Sequence, residues 1–394
     1  TLWGTPPLVD RVLKNSEEYK VPNSTAEQLW KFMETDLTEA ITSGKLTSKT
    51  SLEDRDGGTR ATLEAARCLL GKIYLYQEKY ADAKSELEKV ISSGKYDLIA
   101  DVSTFYHPAS AGCKEYVLEC VRHYDPSNMY SQEGWFGILA NWGFGYGFIA
   151  GPEASMHYKF NTTSGYSYFN PSKSLYDAFV AEEGADGYRL NAWIRTWEQV
   201  IAMNIAVNTT TNKYASEGYF RLKWLASTDD EFVGYWCGNQ SNTPVIRYAD
   251  VLLMAAEACL QAGDQAGADE YLGRVRDRAR LPRKSHVTLS DIKLERRLEL
   301  AMEGMRFQDL KRWGDAPAVL ADKGKKLPTF QIVPDPNNDL TTAAGIYNAR
   351  YTTKTTYVDN EKSLAGWTPN RDEWLPFPEN ELEVNSNLKQ NPGY

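Results

Sequence analysis

The chain has 394 residues, 42% of them hydrophobic, enough to bury one large core or two fused ones. A formal net charge of −9 and a pI near 5.2 leave no basic field to neutralise phosphates, so no nucleic-acid partner is expected. No run approaches the roughly 18 apolar residues of a membrane-spanning helix, and the 5 cysteines form no CxxC pair and have no histidine at zinc spacing, so neither a metal knuckle nor a disulfide framework is indicated.

Thr25 reads as a helix N-cap, followed by Leu29, Phe32, Met33, Leu37, Ala40 and Ile41 at helical spacing and a stop before Gly44. Residues 61–93 read as two antiparallel helices with a break near Lys79-Tyr80. Their anchors, Leu70-Gly71, Tyr74, Ala83, Leu87 and Val90, fit the tetratricopeptide pattern of a small residue where two helices cross. A second such unit spans residues 248–280, with Ala256, Ala268, Leu272 and Val275 at equivalent places and a turn at Gly263-Asp264. The two units are too far apart to stack as sequence neighbours, so the intervening stretch is expected to be an insertion carried on a helical scaffold. The charge-dense residues 291–313 read as one long helix whose Glu and Arg pair along its face while Leu294, Leu298, Met302 and Met305 turn inward. Residues 321–375 read as loop, with Pro328, Pro334 and Pro336 and the rings Tyr347, Tyr351, Tyr357 and Trp367. The closing run from Asn385 to Tyr394 is too polar and turn-rich for a regular element. The expected fold class is therefore mostly α: a tetratricopeptide-like helical scaffold (residues 1–105), an aromatic-rich, loop-rich insertion (106–240), a second helical pair with the charged helix (241–320), and a loop-rich C-terminal segment (321–394).

Hydrolysis or group transfer needs a nucleophile with its base, a metal cluster, or carboxylates at a set separation. The histidines His107, His123, His157 and His286 have no metal-ligand spacing, and neither a GxSxG nor a phosphate loop is present, so no catalytic residue, metal or cofactor is expected. Glu153, Glu182, Glu183 and Asp186 are the carboxylates from which a glycosidase pair would have to come. The positive signal is the ring density from Tyr116 to Phe169, about twice the 12% of the whole chain. Gly134, Gly137, Gly143, Gly145 and Gly147 deprive neighbouring rings of covering side chains. A pyranose has an apolar C–H face that lies on Trp or Tyr, gaining about 1 kcal/mol per ring, while its hydroxyls need polar groups at the edge. Trp135, Trp142, Tyr146, Tyr166 and Tyr168 are the candidate platform rings, and Asn141 the candidate hydroxyl partner; Gln132, Arg122 and Asn161 are further edge groups.

Several strings, in order, resemble the SusD/RagB family over nearly the whole chain. They are Trp3-Gly4-Thr5-Pro6-Pro7-Leu8-Val9, the run from Arg247 to Ala258, Arg296-Arg297-x-Glu299-Leu300-Ala301-x-Glu303-Gly304-x-Arg306, Asp309-Leu310-x-Arg312-Trp313-Gly314, Leu375-Pro376-Phe377-Pro378 and Asn391-Pro392-Gly393-Tyr394. The resemblance implies a SusD-like superhelical fold and a non-catalytic outer-membrane lipoprotein of Bacteroidetes, one that binds oligo- or polysaccharide at the cell surface for a SusC-like TonB-dependent transporter. It also implies a lipoprotein signal, a lipidated Cys and further helices before the Trp-Gly segment. This chain carries none of these, so it looks truncated at its N-terminus, and membrane attachment would run through an anchor absent from it. The alternative is a protein-interaction scaffold whose tetratricopeptide-like helices dock a membrane partner, since Trp, Tyr and Arg also make protein hot spots.

Overall fold

The computed structural model describes residues 2–121, 148–149, 170–196, 198–199, 206–207, 213–214, 217–223, 242–339, 341–342, 345, 350–361 and 365–394. Among these are 11 α-helices and 9 strands, in sheets of no more than three strands, so the chain is mostly helical.

Thr25 caps helix α1 (Ala26–Thr42) as expected: its hydroxyl accepts from the Gln28 N–H, and the Gln28 side chain accepts in return from the Thr25 N–H. Helices α2 (Leu63–Tyr76) and α3 (Tyr80–Ser92) form the first hairpin. A methyl group on Gly71 would sit 2.8 Å from Leu87 Cγ, so glycine is what lets the two helices close on each other. Strand β1 (Tyr116–Cys120) opens the insertion. Within it lie β2 (Phe148–Ile149), α4 (Lys173–Glu183), α5 (Tyr188–Trp193), β3 (Ile194–Thr196), β4 (Ala206–Val207), β5 (Lys213–Tyr214) and β6 (Tyr219–Arg221). Strand β7 (Thr243–Arg247) returns antiparallel to β1, while β2 pairs with β4 and β3 with β6.

The second hairpin is α6 (Tyr248–Gln261) and α7 (Gln265–Arg278), with Gly263 at φ +82° in the turn and Asp264 capping α7. Every residue of α6 from Tyr248 to Cys259 is buried, as a helix surrounded on all sides must be. Helices α2, α3 and α7 and the following α8 (Leu289–Glu299) pack around it. The two hairpins, separated by residues 93–247, thus lie against each other in space through α3 and α6. One apolar cluster unites them through Ala65, Leu87, Val90, Val251, Leu252 and Leu272. A second cluster, with Phe105, Tyr116, Phe179, Leu190, Trp193 and Leu298, seats α4 and α5 on α8.

Two expectations fail. The single helix over residues 291–313 is broken: α8 ends at Glu299, Met302 (φ +65°) and Gly304 (φ +80°) take left-handed backbone, and helix resumes as α9 (Arg306–Arg312). A short α10 (Ala316–Val319) follows. Residues 321–375 are also not all loop, for β8 (Lys326–Pro334) and β9 (Tyr351–Asp359) form a regular nine-pair antiparallel ladder to which β5 adds a short third strand.

After α11 (Glu379–Val384) the C-terminal run is irregular, and its amides staple the N-terminal segment. Asn385 and Asn387 donate to the Val21 and Lys20 carbonyls, and Asn391 Nδ2 donates to Trp3 O and Leu375 O. Gly4 (φ +63°) lies so close to Trp374 that an added Cβ would be 2.9 Å from the indole. The Trp-Gly and Asn-Pro-Gly strings of the sequence are thus two sides of one seam.

Candidate functional site

The base of the insertion is held by buried charge. Glu299 on α8 accepts from Arg189 of α5 at 3.1 Å, Arg247 at the end of β7 at 3.0 Å, and Arg278 of α7 at 2.5 Å. Arg247 and Arg278 also reach Glu115, just before β1, at 2.6 and 3.2 Å. Arg189 further binds Glu183 and Glu295, Arg276 binds Glu182 and Glu295, and Lys223 binds Glu303 and the Glu299 and Ala301 carbonyls. Burial alone would raise the Glu299 carboxyl, but Arg278, Arg247, Arg189 and Lys223 together hold it well below the usual range. Burial dominates at Glu115 and Glu183, whose carboxyls rise despite their arginines. Burial also pushes the Lys223 ammonium down to about 8.

The expected pairing of the 291–313 charges along their own helix is therefore corrected. Arg312 to Asp309 is such a pair, but Glu295, Arg296 and Glu299 face inward and bind other segments, Arg296 reaching Asp250 at 2.8 Å and Asp309 at 2.9 Å. Glu182 and Glu183, considered for glycosidase chemistry, are anchors occupied by Arg276 and Arg189. Asp186 is exposed, and Glu153 lies outside the described residues.

Trp135, Asn141, Trp142, Tyr146, Tyr166 and Tyr168 also lie outside the described residues. The described part of the insertion carries rings that sequence reasoning did not assemble. Tyr176 on α4 stacks on Tyr219 of β6 at 4.6 Å between centroids and 26° between planes. Gly218 (φ +87°) has no room for a side chain: a Cβ there would be 2.4 Å from the ring of buried Phe330 in β8. That close approach brings Glu217 to the hairpin, where it accepts from the Tyr357 hydroxyl of β9 at 2.6 Å, while its other oxygen accepts from the Lys173 N–H at the start of α4 at 2.5 Å. The bond to Glu217 pushes the Tyr357 phenol up to about 12. Tyr357 is nonetheless 49% exposed.

A separate cavity of about 510 Å³ opens between the N-terminal segment, α1, α2 and α9, lined by Leu29, Trp30, Met33, Ile73, Tyr76 and Trp374 among others. Lys72 in its wall lies 3.7 Å from buried Asp250. Cys68 and Cys113 are buried free thiols within the two apolar clusters, Cys259 is buried and free with its thiol donating to Glu88 at 3.9 Å, Cys120 is free and exposed, and Cys237 is outside the described residues. Glu88, Cys259 and Asp264 come close enough together to suggest metal ligands, but Lys84 Nζ sits 2.6 Å from Asp264 and 3.9 Å from Glu88, already supplying the cation. Among the described residues no helix is long and apolar enough to cross a membrane.

The SusD family model matches residues 114–394. A SusD-like protein of Bacteroides ovatus is 24% identical over 99% of this chain and 71% of its own length. SusD-like protein P2 of Formosa agariphila is 25% identical over 100% of this chain and 70% of its own. Among solved structures, a laminarin binding SusD-like protein superposes with a TM-score of 0.76 at 27% identity, over 100% of this chain and 75% of that one. Surface glycan-binding protein A from Bacteroides thetaiotaomicron, solved in complex with laminarihexaose, superposes with a TM-score of 0.71 at 24% identity, over 99% and 74%.

Proposed function

The chain belongs to the SusD family, and on that premise we propose that it is a non-catalytic glycan-binding protein that captures oligo- or polysaccharide at the bacterial outer surface for a SusC-like TonB-dependent transporter. The observation that carries this reading is the similarity, along all of this chain and 75% of the other, to a laminarin binding SusD-like protein, in a chain whose own rings crowd into the insertion. In this reading Trp135, Trp142, Tyr146, Tyr166 and Tyr168 are platform rings and Asn141 meets hydroxyls. The buried ion network beneath serves to hold the ends of the insertion at fixed positions, which lowers the ordering cost that binding must otherwise offset. A modest affinity per site is compensated on a polymer by repeated engagement. The outer-surface location and the lipid anchor belong to the same proposal.

Laminarin and laminarihexaose are the first probes, followed by a glycan array. Replacing Trp135 and Trp142 together by Ala is expected to abolish calorimetric binding while leaving the melting temperature in place. Undiminished binding would remove both residues from the site. Absence of binding to every glycan, together with recovery of a membrane barrel in a pull-down, would favour the scaffold alternative.

A further inference from the structure

The cluster at which the C-terminal hairpin meets the insertion has no part in glycan capture as proposed so far. Its parts come from three places in the chain: Tyr176, Lys173 and Asp177 on α4, Glu217 and Tyr219 around β6, and Tyr357 on β9. Tyr357 faces Pro328 across the ladder, and the residue is about half exposed. An exposed tyrosine ordinarily samples rotamers and uses its hydroxyl on water. Here the hydroxyl is bonded to a carboxylate that is itself bonded to the first turn of a helix, which restricts the rotamers open to a side chain that stays about half exposed. Lys173 Nζ binds both oxygens of Asp177 at 2.8 and 2.6 Å, and their side chains are 56% and 54% exposed. An exposed ion pair of this kind contributes little to stability, so both groups can exchange partners for hydroxyls at small cost. A restrained aromatic side chain with an ammonium and a carboxylate near it has the chemistry that a pyranose requires: a surface for its C–H face and groups that donate and accept at its rim.

We propose that Tyr357, with the stacked Tyr176 and Tyr219 and the Lys173–Asp177 pair, forms a second saccharide contact, so that the C-terminal hairpin as well as the ring-rich insertion touches the glycan. The proposal rests on the reading of the chain as a glycan binder and adds to it a site outside the ring-dense stretch from Tyr116 to Phe169. Glu217 is a positioning residue in this arrangement, because it acts through the Tyr357 hydroxyl.

The test uses the full chain, Tyr357→Ala and Tyr357→Phe in native affinity gels containing laminarin or another polysaccharide from a panel of starch, xylan, mannan and xyloglucan. Calorimetry follows on oligosaccharides of whichever polymer retards the wild type. Melting curves establish that both variants are folded. Tyr357→Ala is expected to weaken binding about threefold to tenfold, the loss of one ring contact, and Tyr357→Phe, which keeps the ring but loses its anchor on Glu217, to weaken it by less than Tyr357→Ala. Equal binding by wild type and Tyr357→Ala would overturn the second contact while leaving glycan capture standing. Equal loss in Ala and Phe variants would also overturn it, since the hydroxyl anchor and not the ring would then matter. If no polysaccharide retards the wild type, the broader reading falls and this site with it. Intact glycan binding by Tyr357→Ala with weakened recovery of a membrane barrel would assign the cluster to a protein partner instead.

Discussion

Replacing Glu299 by Gln removes one negative charge from a point where three guanidinium groups converge at 2.5 to 3.1 Å, with no solvent to take its place. The amide keeps the shape and loses the charge. One of its two former acceptor atoms becomes an NH₂ that points donors at donors. Breaking a buried ion cluster by removing one partner costs about 3–5 kcal/mol, a large part of the roughly 5–15 kcal/mol by which folded domains are stable. Urea unfolding followed by tryptophan fluorescence is expected to show a midpoint lowered by the corresponding amount. A cycle with Arg278→Gln sharpens the test, because Arg278 contributes partly through Glu299. In the Glu299→Gln background the arginine substitution is expected to cost about 1–3 kcal/mol less than in the wild type. The pH dependence has a defined sign. The Glu299 carboxyl is depressed in the folded state, so the unfolded chain binds the proton first and stability falls as pH drops below the ordinary carboxylate range. Glu299→Gln is expected to flatten part of that acid limb. A loss below about 1 kcal/mol, or an Arg278→Gln cost identical in both backgrounds, would refute the account of the insertion base as a charge-coupled unit.

Gly71→Ala should destabilise the protein by about 1–3 kcal/mol, because the new methyl meets Leu87. In a Leu87→Ala background the same change should stabilise by up to about 1 kcal/mol, since alanine is the better helix former; chemical unfolding of the four proteins checks the reversal, and a like sign in both backgrounds would contradict the close crossing. Lys223 titrates near 8 when folded and near its ordinary 10.5 when unfolded. Between those values the unfolded chain holds the extra proton, so the wild type should gain stability with pH relative to Lys223→Met, by up to about 1.4 kcal/mol per pH unit. A constant difference between the two proteins over that window would show that Lys223 keeps its proton there.

The helical frame was legible because periodicity and capping are local. Thr25 and Gln28 declare the start of α1, and Leu70-Gly71 with Ala83 and Leu87 declare a close crossing whether or not the partner helix is known. The inward charges were not legible, since Glu295, Arg296 and Glu299 look in sequence like any solvated face, and what buries them is α5, β7 and α7 arriving from elsewhere. The break after Glu299 was obscured by the apolar spacing of Met302 and Met305, which continues the helical pattern through left-handed backbone. Pro328 and Pro334 disguised β8, although among the described residues β5 pairs with Thr329 and Phe330 and not with Pro328. The Tyr176, Tyr219 and Tyr357 cluster depends on Gly218 meeting Phe330 across more than a hundred residues, and the one local hint is the Thr-rich run of β9, a strand signal set among prolines that suggest loop.

The contact of α3 with α6 makes the insertion a closed loop, gated at its neck by β1 and β7. Closing such a loop costs entropy that grows only logarithmically, about 0.6 kcal/mol for each doubling of its length. Residues can therefore be added to or exchanged within the loop at little thermodynamic expense, provided the neck and the charges beneath it are kept. The cost appears instead in time, because the scaffold core cannot form until chain ends far apart in sequence have met, and folding slows as contacts become less local. A protein built this way can change what it recognises far more readily than how it stands.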